Sequence, residues 1–296
     1  MANSGAYTEE PENSTSEELT ASSNYCTTTD KVDLECEVTF NKKRLTIVCI
    51  SDTHSKLQLS DLSRIPPGDI LLHAGDFTLR GSLREVHEFN ILLGHLPHPV
   101  KIVIAGNHED CLEVPSASLK LSRRLHLQKN YGVSEPHQIL SNFIYLEDQS
   151  VIVSGLKIYG APWSPLFYST AFQLQRGEML ARKWRKIPDD VDILMTHCPP
   201  YGICDTNIQG QNCGCEALLH ELQTRLKPKF HVFGHIHEGY GRMEHDGTQY
   251  INASMCTRKY KPDNPPVVFE IDNPAYKLRE RVSVKGLASA SNGINH

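Results

Sequence analysis

The chain has no apolar run near the roughly 18 residues that a membrane-spanning helix needs, and its first residues carry no apolar segment of the kind that directs secretion. It also lacks any Cys-x-x-Cys pair, and its nine cysteines are an odd number scattered through 296 residues. A disulfide scaffold is thereby excluded, and Cys213-Gly214-Cys215 has the wrong spacing for a zinc or redox pair. A reducing, cytoplasmic setting is the expectation. Neither a Walker-type phosphate loop nor a Gly-x-Gly-x-x-Gly fingerprint occurs, so any nucleotide chemistry must use other groups.

Excess charge is small, and it is unevenly spread. The net charge is −5, yet Met1 to Glu37 hold nine acids against Lys31 alone, so the remainder carries about +3. A domain of that charge with no basic stripe is not expected to bind extended nucleic acid. Rich in Ser, Thr, Glu and Asn, the acidic segment cannot bury enough surface to offset its ordering entropy. Residues 1–42 are therefore expected to be a disordered tail, 43–273 the folded domain, and 274–296, small and polar from Gly286, a loosely held tail. Asn13-Ser14-Thr15 and Asn252-Ala253-Ser254 match glycosylation sequons, which without a secretion signal read as chance matches.

Within 43–273 the runs Leu45–Ile50, Ile70–His73, Lys101–Ala105, Val191–Met195 and His231–Phe233 are short, rich in branched side chains and closed by Gly, Ser or Thr. They read as buried strands. Ser82 with Glu85 three residues on, followed by a periodic apolar pattern that stops at Gly94, predicts a capped helix. Glu216 to Leu226 predicts another helix, with weaker patterns over 117–128 and 174–186. Val151–Val153 and Leu156–Ile158 flank Ser154-Gly155 as a hairpin would. Strands are further predicted over 248–252 and 267–271, and the whole reads as α/β, two packed mixed sheets flanked by helices.

What the sequence does contain is an ordered series of metal-type side chains, each directly after one of the five strand-like runs. These are Asp52-Thr53-His54, Gly75-Asp76, Gly106-Asn107-His108-Glu109, Thr196-His197 and Gly234-His235-Ile236-His237. Loops at the carboxyl ends of such strands converge on one crevice. A lone Asp-x-His or Gly-Asp decides nothing, but Asp52, His54, Asp76, Asn107, His197, His235 and His237 offer the oxygens and nitrogens that suit manganese, iron or zinc. Seven such donors are enough for two ions that share one carboxylate, with Asp76 the natural bridge. The remaining histidines lie outside the pattern and read as structural or solvated. Tyr240, Trp163 and His245 are aromatics that could stack on a base, or simply pack.

The motif series resembles the calcineurin-like metallophosphoesterase superfamily from about residue 45 to 271. Gly160-Ala161-Pro162-Trp163, the stretch His235 to Gly241, and Ile251-Asn252-Ala253-Ser254 are similar to the metallophosphoesterase-domain-containing proteins, relatives of class III cyclic nucleotide phosphodiesterases. The resemblance implies a four-layer sandwich. It implies that Asp52, His54, Asp76 and His237 hold one divalent ion and that Asp76, Asn107, His197 and His235 hold the other. Manganese is the first choice, with iron, zinc or magnesium as ions the same donors accept. It places His108 at the substrate as the catalytic side chain.

The chain departs from the serine/threonine protein phosphatases of that superfamily at Leu79, where they carry Asp, and at Ala105, where they carry Arg. Loss of a clamp for a dianionic phosphate disfavours a phosphoprotein monoester and leaves a small diester, with one charge, as the expected substrate. The reading is thus a phosphodiesterase acting on small diesters, cyclic nucleotides among them, by attack of a hydroxide shared between the ions. A second reading is a low-turnover nucleotide-binding or scaffold protein that uses the same metal site.

Overall fold

In the computed structural model, residues 33–113, 118–168 and 170–276 are described. Strands β1 (Leu34–Cys36), β2 (Arg44–Ile50) and β3 (Ile70–His73) come first, then helix α1 (Leu83–Gly94), β4 (Val100–Val103), and helices α2 (Asp110–Glu113) and α3 (Leu121–Tyr131). Next come β5 (Ile144–Tyr145), β6 (Gln149–Val153), β7 (Leu156–Ala161), β8 (Ser164–Pro165), β9 (Gln173–Leu174) and α4 (Glu178–Trp184). The remainder is β10 (Ile193–Thr196), α5 (Glu216–Thr224), β11 (Phe230–Phe233), β12 (Gly241–His245), β13 (Thr248–Asn252) and β14 (Val267–Asp272).

These strands form a five-stranded sheet in the order β14-β2-β3-β4-β5 and a seven-stranded sheet in the order β1-β6-β7-β10-β11-β13-β12. Both are mixed. β2 to β5 run parallel with β14 antiparallel to β2, while β7, β10, β11 and β13 run parallel, with β6 antiparallel to β7 and β12 antiparallel to β13. Successive strand residues face opposite sides, and β2 shows the result: Leu45, Ile47 and Cys49 enter a core between the sheets, while Val48 and Ile50 face an outer core. The inter-sheet core takes Ile70, Leu72 and Ile102 from one sheet and Val151, Ile158, Met195 and Val232 from the other. The outer core takes Val86, Phe89 and Leu93 of α1, and Leu180, Trp184, Leu218 and Leu222 of α4 and α5. Helix, sheet, sheet and helix therefore stack as four layers, and strands buried on both faces explain the near-continuous apolar runs.

Local chemistry accounts for the elements. Ser82 Oγ accepts from Glu85 N at 3.3 Å and Glu85 Oε2 accepts from Ser82 N at 3.1 Å, the reciprocal cap that starts α1. Ser154 and Gly155 both have positive φ (50° and 80°), which suits a two-residue turn between β6 and β7. The 174–186 pattern splits into the end of β9 and α4, because Gly177, at φ 85°, begins the helix late. The 117–128 pattern becomes α3, shifted toward the C-terminus; residues 114–117 lie outside the described part.

The expected N-terminal tail requires a correction over the part that is described. β1 pairs parallel with β6, and Leu34, Cys36, Val38 and Phe40 pack against the inter-sheet core. Those four residues alternate with polar ones at period two, a strand signal that acid counting over the whole segment obscures. At the other end Ala275 N donates to Ser154 O at 3.1 Å, so the fold continues to 276. Residues 1–32 and 277–296 lie outside the described part. Among the described residues no helix is long and apolar enough to cross a membrane.

Candidate metal centre

All five motifs sit in loops that leave β2, β3, β4, β10 and β11 at their carboxyl ends, as the parallel order requires. The loops are joined by backbone bonds, Asp52 N to Gly75 O at 2.9 Å and His54 N to Asp76 O at 3.0 Å among them. Asp52, His54, Asp76 and His235 all stand at positive φ, between 43° and 68°, a region that costs a non-glycine residue on the order of 1 kcal/mol or more. Four strained backbones among seven candidate ligands mark a constellation fixed for a purpose other than stability.

The side chains gather in two groups with Asp76 between them. Asp52, His54 and His237 place one ligand atom each within 4.8 Å of one another, and so do Asp76, His197 and His235. His54 Nε2 lies 3.1 Å from His237 Nε2, and His197 Nε2 lies 3.1 Å from Asn107 Oδ1. Asp76 Oδ2 reaches toward both groups, 3.3 Å from His197 Nε2 and 3.9 Å from His54 Nε2. Its other oxygen, Oδ1, accepts from His108 N at 2.9 Å. Oδ2 is thus the Asp76 oxygen that faces both groups.

The pair His235 and His237 divides between the groups: His235 turns at φ 68° toward Asp76 and His197, and His237 opens a short 3-10 turn toward Asp52. Likewise Asp52 and His54 meet through left-handed turns, with His54 Nε2 3.8 Å from Asp52 Oδ1.

The surroundings hold each donor in a metal-ready state. The Nδ1 atoms of His54, His197 and His237 lie 3.1, 2.9 and 3.1 Å from the carbonyls of Thr78, Ala74 and Thr257. An N–H at Nδ1 satisfies each carbonyl, which turns the Nε2 lone pair inward. Asp52 Oδ2 accepts from Ser254 Oγ at 2.9 Å and from His235 N at 3.1 Å, while Oδ1 lies 3.3 Å from His237 Nε2. Asn252 Nδ2 donates to the carbonyls of Cys204 and Ile236 and its Oδ1 accepts from Ser254 N at 3.2 Å, which leaves the single Ser254 Oγ–H to the carboxylate. The Asn252-Ala253-Ser254 sequon is therefore a buried brace, and Asn252 offers no acceptor for a sugar. Glu109, fully buried, accepts from the backbone N–H groups of Asp76, Thr78 and Gly106 at 3.0, 2.8 and 2.7 Å and so ties two motif loops together.

Glycine is required where these loops touch. A Cβ on Gly234 would collide with Asp52 Oδ2 and Ser51 Oγ, and one on Gly106 would lie 2.6 Å from His197 Cε1 and 2.7 Å from Asp76 N.

So many donors in one small volume demand positive charge. Burial pushes His54 down to about 4 and His235 down to about 3. Burial also opposes charge on His197, but Asp76 beside it outweighs burial and raises it to about 9. Burial would raise Asp76, yet His197 and the other imidazoles hold it well below the usual carboxylate range. Burial and Asp76 together push Glu109 up to about 7. Two carboxylates among imidazoles whose lone pairs face one another fit divalent cations, which protons would otherwise replace.

His108 differs from the candidate ligands. Its Nδ1 lies 2.8 Å from Leu79 O, its Nε2 lies 3.9 Å from Asp76 Oδ2, and its side chain is 24% exposed where those of His54 and His197 are at most 1% exposed. The Leu79 main-chain carbonyl thus engages His108 Nδ1, and Ala105 is wholly buried. The aromatics singled out in the sequence turn out to pack or to lie in the frame. Trp163 Nε1 donates to Asp148 at 2.7 Å beneath Lys183, Tyr240 donates to Pro265 O at 2.9 Å, and His245 sits in the exposed β12 beside Asp246. Tyr260 was not anticipated, because its loop carries no motif; its ring lies 4.8 Å from that of His54.

A four-layer α/β sandwich with His/Asp clusters at its strand ends is the architecture of a metallophosphoesterase. The profile of the calcineurin-like phosphoesterase family matches residues 45–239, and the chain belongs to that family. It is 46% identical over 234 residues to human "Metallophosphoesterase domain-containing protein 1", covering 77% of this chain and 71% of that one. It is 43% identical over 251 residues to "UPF0046 protein C25E10.12" of Caenorhabditis elegans, covering 83% and 87%. A solved crystal structure at 13% identity covers 77% of this chain and 94% of its own with a TM-score of 0.51, a likeness of fold alone.

Proposed function

We propose that this protein is a metal-dependent phosphodiesterase that hydrolyses small nucleotide-type phosphodiesters, cyclic nucleotides among them. The observation that carries the reading is Asp76 Oδ2, which lies between two clusters of inward-facing imidazoles. In this reading Asp52, His54, Asp76 and His237 hold one divalent ion, and Asp76, Asn107, His197 and His235 hold the second, with manganese the first choice. Such ions, when bound, polarise phosphoryl oxygens and acidify water at neutral pH.

The chain's own side chains do the rest. With Nδ1 of His108 engaged by Leu79 O, any proton that His108 gives or takes moves through Nε2, the atom on the exposed side of the cluster. In this reading His108 is the general acid for the leaving alkoxide, a role worth about 10²- to 10⁴-fold. Ser254 and Glu109 keep Asp52 and the Asp76 loop from shifting as charge develops. Ala105 supplies no cation for a second phosphate charge, which supports a diester over a monoester. The test is hydrolysis of bis(p-nitrophenyl) phosphate against p-nitrophenyl phosphate with Mn²⁺ present. Faster diester turnover is expected; preference for the monoester would overturn the diester assignment, and Mn²⁺ binding without turnover of either would favour a nucleotide-binding scaffold.

A further inference from the structure

Tyr260 is the aromatic that faces the centre. Its ring centroid lies 4.8 Å from His54, 5.7 Å from His237 and 6.5 Å from His108, all edge to face. It is 39% exposed, and among the described residues its hydroxyl has no hydrogen-bond partner. A residue kept for packing would be buried or tied by its hydroxyl, as Trp163 and Tyr240 are tied by their polar atoms. Tyr260 also holds φ at 54°, a conformation a bulky residue adopts only where the surroundings impose it.

The imposing structure is the loop from Cys256 to Lys261. Thr257 N donates to Lys261 O at 2.8 Å and Tyr260 N donates to Thr257 O at 2.8 Å, closing a tight turn. The same Thr257 carbonyl lies 3.1 Å from His237 Nδ1, Cys256 N donates to Asp52 O at 3.3 Å, and Arg258 Nε lies 3.7 Å from Glu238. One loop therefore holds the His237 ring through the Thr257 carbonyl and presents Tyr260 beside it.

We propose that Tyr260 is a specificity-determining residue: its exposed ring receives the flat aromatic group of a substrate whose phosphoryl sits at the centre. Under the function proposed above, on which this rests, that group is a nucleobase. An aromatic contact of this kind discriminates by up to about tenfold.

The experiment compares phenyl phosphate with methyl phosphate as ligands of the Mn²⁺-loaded protein by calorimetry, for the parent, Tyr260→Phe and Tyr260→Ala. The parent should bind phenyl phosphate about tenfold tighter than methyl phosphate, Tyr260→Phe should keep that ratio, and Tyr260→Ala should reduce it to about twofold or less. Mn²⁺ affinity, measured on the same samples, should stay unchanged. A ratio that survives in Tyr260→Ala, or a parent without preference, overturns the proposal; so does a loss of Mn²⁺ affinity with the ratio intact, which would make Tyr260 a shield for His54. Failure of the phosphodiesterase reading shows separately, as an absence of diester turnover in the parent while the ligand preference still responds to Tyr260.

Discussion

Removing one hydroxyl should weaken the metal centre without touching a ligand. In Ser254→Ala, Asp52 Oδ2 loses the Ser254 Oγ–H at 2.9 Å and keeps the His235 N–H at 3.1 Å, while Asn252 Oδ1 still accepts from the residue-254 N–H at 3.2 Å. A hydrogen bond to a charged acceptor contributes about 1.5–3 kcal/mol. Loss of a partner behind a metal ligand typically costs about 10- to 100-fold in affinity, the same range, since about 1.4 kcal/mol is tenfold. Because the His235 N–H remains, the lower part of that range applies, about 10- to 30-fold in Mn²⁺ affinity. The assay is competitive Mn²⁺ titration of chelator-stripped protein. Ser150→Ala is the control, since it deletes a buried hydroxyl that has no partner among the described residues and should leave affinity unchanged. Wild-type affinity in a folded Ser254→Ala protein would refute the claim that Asp52 is a ligand oriented from behind.

His108→Ala should lower kcat for bis(p-nitrophenyl) phosphate by about 10²- to 10⁴-fold with Mn²⁺ affinity retained, as kinetics paired with calorimetry would show. Gly106→Ala should cost about 1–3 kcal/mol of stability through overpacking and should reduce Mn²⁺ affinity, because its methyl would press on Asp76 and His197; urea melts and titration check both. Burial holds His73 and His231 neutral, each down to about 3 from 6.5. A histidine lowered on folding contributes stability that is present above about 6.5 and lost as pH falls toward its folded value. Stability should therefore drop on the order of 1 kcal/mol per pH unit per imidazole between pH 6.5 and 4.5. The urea midpoint of His231→Gln should fall less steeply over that window.

The layers and the donors were legible because both rest on strong local signals. Buried strands closed by Gly, Ser or Thr announce themselves, and the five motifs follow them at the ends where parallel strands deliver their loops. That Asp76 stands between the two groups could be expected from its place in the order; which of its oxygens faces both could not, since the His108 N–H that claims Oδ1 depends on the tertiary path of the next loop. The sorting of His235 and His237 into different groups depends on a left-handed φ at His235 that residue type does not encode. β1 was hidden by acids interleaved with Leu34, Cys36, Val38 and Phe40, and β12 by exposure of Arg242 to His245, which removes the alternation of a half-buried strand. Tyr260 stands among Arg258, Lys259 and Lys261 with no pattern around it, so only the loop's return to His237 gives it meaning.

The most direct test of the central claim is hydrolysis of bis(p-nitrophenyl) phosphate by chelator-stripped protein as Mn²⁺ is returned, with bound ions counted in parallel and Asp76→Ala alongside. Turnover that rises as two ions bind per chain, and that is lost together with ion binding in Asp76→Ala, is the predicted result. Full turnover in the metal-free protein, or in Asp76→Ala, would contradict it.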